Sequence, residues 1–156
     1  MDDPGFPERT AMIRRAAARL CLRLSWAPLH EVSLPNGRRA DILALRDDGG
    51  FVCIEVKSGI RDFQTDQKWW EYREFCDHLY FAVDVDFPHE ILPDDTGLIV
   101  VADQAAELIR EAPEHKLPAP RRTALLRRFA MLAGGRLAML EDPAGVAELR
   151  GERRVE

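Results

Sequence analysis

Apolar residues recur at different spacings along this chain, and the spacing assigns the elements. Ile13, Ala16, Ala17, Leu20 and Leu24 follow a helical period. They predict a helix from about Glu8 that ends at Trp26-Ala27-Pro28, because the residue before a proline is driven out of helical geometry. Short apolar runs at 29–34, 38–45, 51–57, 78–85 and 97–102 read as strands, the last two apolar enough to be central. Pro35-Asn36-Gly37 separates the first two and Asp47-Asp48-Gly49-Gly50 the next two. Connections this short join antiparallel neighbours. A helix is expected over about Phe63 to Asp77, with Asp62 or Thr65 as N-cap and two aromatic stripes. One helical turn fits 88–92. Residues 106–110 read as a strand because Pro113 follows closely. After Pro118-Ala119-Pro120 a long helix, roughly 121–140, presents Leu125, Leu126, Phe129, Leu132, Ala133 and Leu137.

These elements make an α/β (α+β) fold with a mixed central sheet of about five strands flanked by helices. Residues 1–156 read as a single domain, with 1–7 a loose arm and 142–156 a weakly helical or frayed tail. A chain of 156 residues can bury a core without staples. At 46% apolar and 31% charged it is neither disordered nor fibrous. Cys21, Cys53 and Cys76 are odd in number, widely spaced and set among apolar neighbours, which predicts buried, reduced thiols. No apolar run approaches the ~20 residues that cross a bilayer. Met1-Asp2-Asp3-Pro4 also lacks the apolar core of a signal peptide. The expectation is a cytoplasmic protein with no membrane partner.

A net charge of −5 argues against a nucleic-acid partner, but its distribution argues otherwise. Arg9 to His30 holds five Arg and no acid; Lys116 to Leu140 holds six basic residues and no acid. Between Arg61 and Asp95 stand three basic and ten acidic residues. Local patches set the field a polyanion meets. Arg15 and Arg19 on the first helix, with Arg121, Arg122 and Arg128 on the last, are therefore candidate DNA contacts. On charge alone, solvated helix faces are the simpler reading.

The chemistry gathers between the second and third strands. Side chains alternate along a strand, and residues i and i+2 lie roughly 6–7 Å apart on one face. Glu55 and Lys57 thus point one way and Val56 the other. Asp41 joins them from the neighbouring strand only under one condition. A four-residue turn at 47–50 would pair Leu45 with Val52 and Asp41 with Val56, on the wrong face. A shift of one residue repairs this, so a bulge or an odd-length connection is predicted, which Gly49-Gly50 makes cheap. Two carboxylates alone raise each other's pKa; a divalent cation removes that cost. Mg²⁺ (or Mn²⁺) takes hard oxygen ligands from one or two carboxylates, waters and phosphate. Asp41, Glu55 and the Val56 carbonyl are the candidate ligands, and Lys57 the point charge that orients the nucleophile or neutralises phosphate. An isolated Glu-x-Lys would be a surface ion pair of little worth. Here the surrounding strands read as buried, where unpaired charge is costly. Glu31 is a candidate extra acid, either a water-mediated ligand or a solvated side chain. Gln67 and Lys68 are candidate phosphate contacts or polar positions on a solvated face. Trp69, Trp70 and Tyr72 are more often core than base platforms. No Gly-rich phosphate loop, supported Ser-His-Asp arrangement or zinc motif is present.

Helix, strand, strand with Asp41, strand with Glu55-Val56-Lys57, helix, strand resembles the restriction-endonuclease-like core of the PD-(D/E)xK nuclease superfamily. There the Asp and the Glu-x-Lys are the metal and catalytic residues. Ala40 stands where many members carry Pro. A narrower resemblance, to the MmcB family of bacterial DNA repair proteins, rests on several runs. These are Gly37-Arg38-Arg39-Ala40-Asp41-Ile42, Ile54-Glu55-Val56-Lys57-Ser58, Asp62 through Trp69, Cys76 through Val83, and Gly97 through Asp103. It implies a small nuclease-fold protein acting in DNA repair, with Asp62, Asp66 and Lys68 lining the site. The expected function is a metal-dependent DNA endonuclease. The alternative is a catalytically silent nuclease-fold module that binds DNA or a partner, as a homodimer or with another repair protein.

Overall fold

The computed structural model describes residues 5–66 and 68–153, which fall into two compact units divided between Leu117 and Pro118. The first unit opens with α1 (Phe6–Arg23), with Pro7 in its first turn, where a missing N–H costs nothing. Phe6 and Pro7 are thus helical; the rest of the expected loose arm, residues 1–4, lies outside the described residues. Six strands follow: β1 (Ala27–Ser33), β2 (Arg39–Leu45), β3 (Phe51–Lys57), β4 (His78–Asp84), β5 (Gly97–Ala102) and β6 (Ala105–Arg110). They form one mixed sheet whose spatial order is the chain order. The β3–β4 and β4–β5 pairs are parallel and the others antiparallel. Pro28 is tolerated because β1 is an edge strand.

The two faces of the sheet bury different partners. α1 lays Ile13, Ala16, Ala17, Leu20 and Cys21 against Ile42, Ala44, Ile54, Val56 and Tyr80. Small residues at 16 and 17 bring the helix close. Arg19 and Arg23 tie the same helix down, donating to the carbonyls of Gln104 at 2.6 Å and Ala106 at 2.7 Å. On the opposite face Phe81, Val83, Phe87, Leu92 and Leu98 gather Phe63 and Trp69. Each large side chain so buried stabilises the fold by about 1.5–3 kcal/mol. All three cysteines are buried thiols. Among the described residues no helix is long and apolar enough to cross a membrane.

The crossover from β3 to β4 departs from expectation. In place of one helix over 63–77 stand a short α2 (Ile60–Thr65) and a 3₁₀ helix (Trp69–Phe75). The period explains the second piece. Trp69, Tyr72 and Phe75 are three apart, and a 3₁₀ helix stacks i and i+3 on one face; Tyr72 and Phe75 are buried. α2 ends at Asp66, whose side chain accepts from Lys57 Nζ and from the Lys68 N–H. A further 3₁₀ turn, His89–Ile91, falls where one helical turn was expected.

The second unit consists of α3 (Ala119–Glu141) and α4 (Pro143–Glu152). The expected frayed tail is helical through Glu152. Asp142 caps α4, its Oδ1 accepting from the Gly145 N–H at 3.1 Å.

Candidate active site

The β2–β3 connection settles where Asp41 goes. Leu45 pairs with Phe51 and Ile42 with Ile54, leaving residues 46–50 as an odd-length connection, as the register argument requires. The Arg46 N–H donates to the Gly50 carbonyl at 2.8 Å, so Asp47-Asp48-Gly49 make a three-residue turn. Gly49 sits at φ +85°, the left-handed position that such turns assign to glycine. Continued by one residue, this register sets Asp41 opposite Glu55. There side chains take over from the ladder. The Asp41 N–H donates to Glu55 Oε1 at 3.2 Å, and Asp41 Oδ2 accepts from the Val56 N–H at 2.8 Å. Each carboxylate thus satisfies a backbone donor that the strand partner no longer does.

Asp41, Glu55 and Lys57 line one cleft of roughly 360 Å³, together with Val56, Asp62 and Asp66. Thr10, Arg38 and Tyr72 lie on its walls. Lys57 is 5% exposed; its Nζ donates to Asp66 Oδ2 at 2.8 Å and lies 3.8 Å from Asp62 Oδ1. Asp66 Oδ1 accepts from the Lys68 N–H at 3.2 Å. One carboxylate therefore ends α2, starts the 3₁₀ segment and fixes the lysine. An adjoining cleft shares Arg38, Lys57, Asp62 and Asp66 and adds Thr65 and Lys68. Beside Lys57, Ser58 Oγ accepts from Thr10 Oγ1 at 3.0 Å, bringing the start of α1 to the cleft.

The electrostatics follow from burial. Glu55 is 4% exposed, and desolvation, then the Asp41 charge, push its carboxyl well above the usual range. The Asp41 N–H, Lys57 and the Tyr72 hydroxyl pull it back in part. Desolvation raises Asp41 too, opposed first by the Val56 N–H, then by Lys57, Glu55 and Arg14. Two buried carboxyls thus adjoin an ammonium that Asp66 already engages. That donor set fits a hard divalent cation: Asp41 and Glu55 oxygens with the Val56 carbonyl, water and phosphate filling the remaining places. Among the described residues no group of three His, Cys, Asp or Glu side chains is arranged to hold a metal.

The other expected residues divide. Asp62, Asp66 and Lys68 stand at the two clefts. Glu31 does not line them. Its backbone is left-handed, φ +49°, and its carboxylate accepts from Arg14 Nη1 at 3.0 Å. Gln67 lies outside the described residues. Arg15 is exposed on α1, Arg19 serves the Gln104 carbonyl, and Arg121, Arg122 and Arg128 belong to α3 in the second unit. Thr10 and Arg38 are not singled out for the site by the sequence; Tyr72, which reads there as core, is buried and also lines the cleft. Arg38 carried a usable signal, three residues before Asp41 at the mouth of the same strand. It holds Glu71 Oε2 at 2.9 Å and sits 6.0 Å from the Tyr72 ring centre. Thr10, on a distant helix, carried none.

A family model described as "DNA repair protein MmcB-like" matches residues 1–144. Among solved structures, a protein of unknown function from Silicibacter pomeroyi is 39% identical with a TM-score of 0.81. That match covers 92% of this chain and 97% of that one. No curated protein matches the chain.

Proposed function

The chain belongs to the MmcB-like family of DNA repair proteins, and from that premise we propose that it is a metal-dependent deoxyribonuclease of the PD-(D/E)xK type. The observation that carries the reading is the convergence of Asp41, Glu55 and Lys57 in one cleft, on a register that an ordinary four-residue turn would have broken. Asp41 and Glu55, with the Val56 carbonyl, are the groups that would hold Mg²⁺ or Mn²⁺. When bound, such a cation acidifies water and stabilises charge developing on a phosphoryl group. Lys57 holds a positive charge at the reacting phosphate and orients the attacking water; Asp66 keeps the ammonium from swinging away. Arg38 and Lys68 flank the path and take neighbouring phosphates. Such contacts position DNA without reading its sequence.

One observation favours a silent DNA-binding or partner-binding module: Lys57 is already engaged by Asp66, so it must release or share that partner to meet a phosphate. Incubation with duplex, single-stranded and branched DNA, with Mg²⁺, Mn²⁺ or EDTA, separates the two. The nuclease reading expects metal-dependent cleavage that is lost in Asp41→Ala and Lys57→Ala while both variants keep the wild-type circular dichroism. Binding without cleavage in every metal, unchanged in both variants, sinks it.

A further inference from the structure

α3 exposes apolar side chains that a helix ordinarily buries: Leu126 is 45%, Leu137 54% and Leu140 81% exposed, with Met131 at 74% on another face. Its buried residues, Leu125 and Phe129, lie to one side of them. Arg122, Leu126, Ala130, Ala133, Leu137 and Glu141 are spaced 4, 4, 3, 4 and 4 residues apart. At 3.6 residues per turn they fall on one stripe about 100° wide and about 30 Å long. Thr123 and Leu140 fall at the two edges of the same arc, opposite one another under the same end-for-end turn. Along its centre the stripe reads the same from either end, Leu-Ala-Ala-Leu, except that its charge reverses, Arg at the start and Glu at the finish. A stripe of that kind is complementary to itself turned end for end.

We propose that a second copy of this chain covers it, with the two α3 helices packed antiparallel about a two-fold axis between Met131 and Leu132. Leu126 then meets the partner's Leu137, Ala130 meets the partner's Ala133, and Arg122 meets the partner's Glu141, each contact made twice by symmetry. The alanines at the centre let the helix axes approach to about 8 Å, the near end of the packing range. The antiparallel arrangement also sets each helix's positive end beside the partner's negative end. Charge selects this occupant over an acidic peptide, which would leave Glu141 repelled, and over a basic one, which would leave Arg122 repelled. Arg121 and Arg128 lie on the opposite side of α3 and take no part.

Sedimentation velocity of the full chain over about 1–200 μM tests the proposal without reference to catalysis. The expected result is a monomer–dimer equilibrium. Ala130→Glu and Ala133→Glu each hold the chain monomeric, with helix content checked by circular dichroism. Arg122→Glu and Glu141→Arg alone weaken the dimer about tenfold, each turning two attractive pairs into two repulsive ones. The double variant R122E/E141R recovers affinity to within a few-fold of wild type. A wild-type chain that stays monomeric throughout overturns the proposal. So does a dimer indifferent to Ala130→Glu, or a double variant as weak as the singles.

Discussion

Glu55 is held where its charge is unwelcome, and this gives a test that needs no substrate. Burial and the neighbouring Asp41 raise its carboxyl well above the ordinary value of about 4.3. The sign follows from linkage. Between the unfolded and the folded pKa the native chain binds a proton that the unfolded chain does not, so stability falls as pH rises. The contribution is full below the unfolded value and is lost as pH climbs through the folded one. Each unit of elevation costs about 1.4 kcal/mol once pH exceeds both values. Glu55→Gln keeps an acceptor for the Asp41 N–H and removes the charge. In EDTA at pH 8 it is therefore more stable than wild type by about 1–3 kcal/mol, the usual cost of a poorly solvated buried polar group. For a chain of this size that is roughly 2–4 °C in melting temperature per kcal/mol.

Thermal melts from pH 4 to pH 9, with EDTA or with Mg²⁺, make the measurement. Wild type is expected to lose stability toward high pH in EDTA and to regain it with Mg²⁺, because a cation bound only by the native state stabilises it by mass action. Glu55→Gln flattens the pH profile and loses most of the Mg²⁺ response. If the variant is no more stable than wild type at pH 8 in EDTA, and wild type ignores both Mg²⁺ and pH, the carboxylates are not the strained pair described here.

Two further changes test the frame around the site. Asp77, 2% exposed, accepts from the Phe51 N–H at 2.7 Å and the Leu117 N–H at 2.9 Å; Asp77→Ala orphans both donors and lowers unfolding stability by about 2–5 kcal/mol in urea denaturation, with Asp77→Asn intermediate because one acceptor survives. Gly97 packs its α-carbon onto the ring of fully buried Tyr80; Gly97→Ala forces that ring to shift and costs about 1–3 kcal/mol, read as a lower denaturation midpoint with an unchanged slope.

Where sequence and structure agree, the signal was local. Apolar runs bounded by Pro-Asn-Gly or by Asp-Asp-Gly-Gly were enough to place β1, β2 and β3, and the two-residue alternation put Glu55 and Lys57 on the face opposite Val56. The crossover reads as one α-helix because its aromatic residues also fit a helical face; only the strict three-residue spacing of Trp69, Tyr72 and Phe75 marks the 3₁₀ segment. The site's outer residues were hidden for another reason. Thr10 and Arg38 reach the cleft through the packing of α1 and the twist of an edge hairpin, and neither leaves a periodic trace. Asp77 reads in the sequence as a helix end, yet in the fold it is a buried clamp whose two partners, Phe51 and Leu117, lie far from it along the chain.

Three irregularities of the first unit converge on one cleft, and their different legibility follows from their physics. The odd-length turn at 46–50 swings Asp41 onto the face of Glu55 and Lys57. The side-chain bonds at Asp41 and Glu55 replace the regular β2–β3 ladder beyond Ile42. The break at Asp66 brings a carboxylate back to Lys57. Only the first has a local cause, a glycine at positive φ, and only it could be deduced beforehand. The other two exist because charged groups out of water must find partners, and which partner each finds depends on chain segments that meet only in the fold. A polar residue that interrupts a regular element beside buried charges therefore marks this site in the fold and not in the sequence, and Asp66, which ends α2 where its carboxylate meets Lys57, is the case in point.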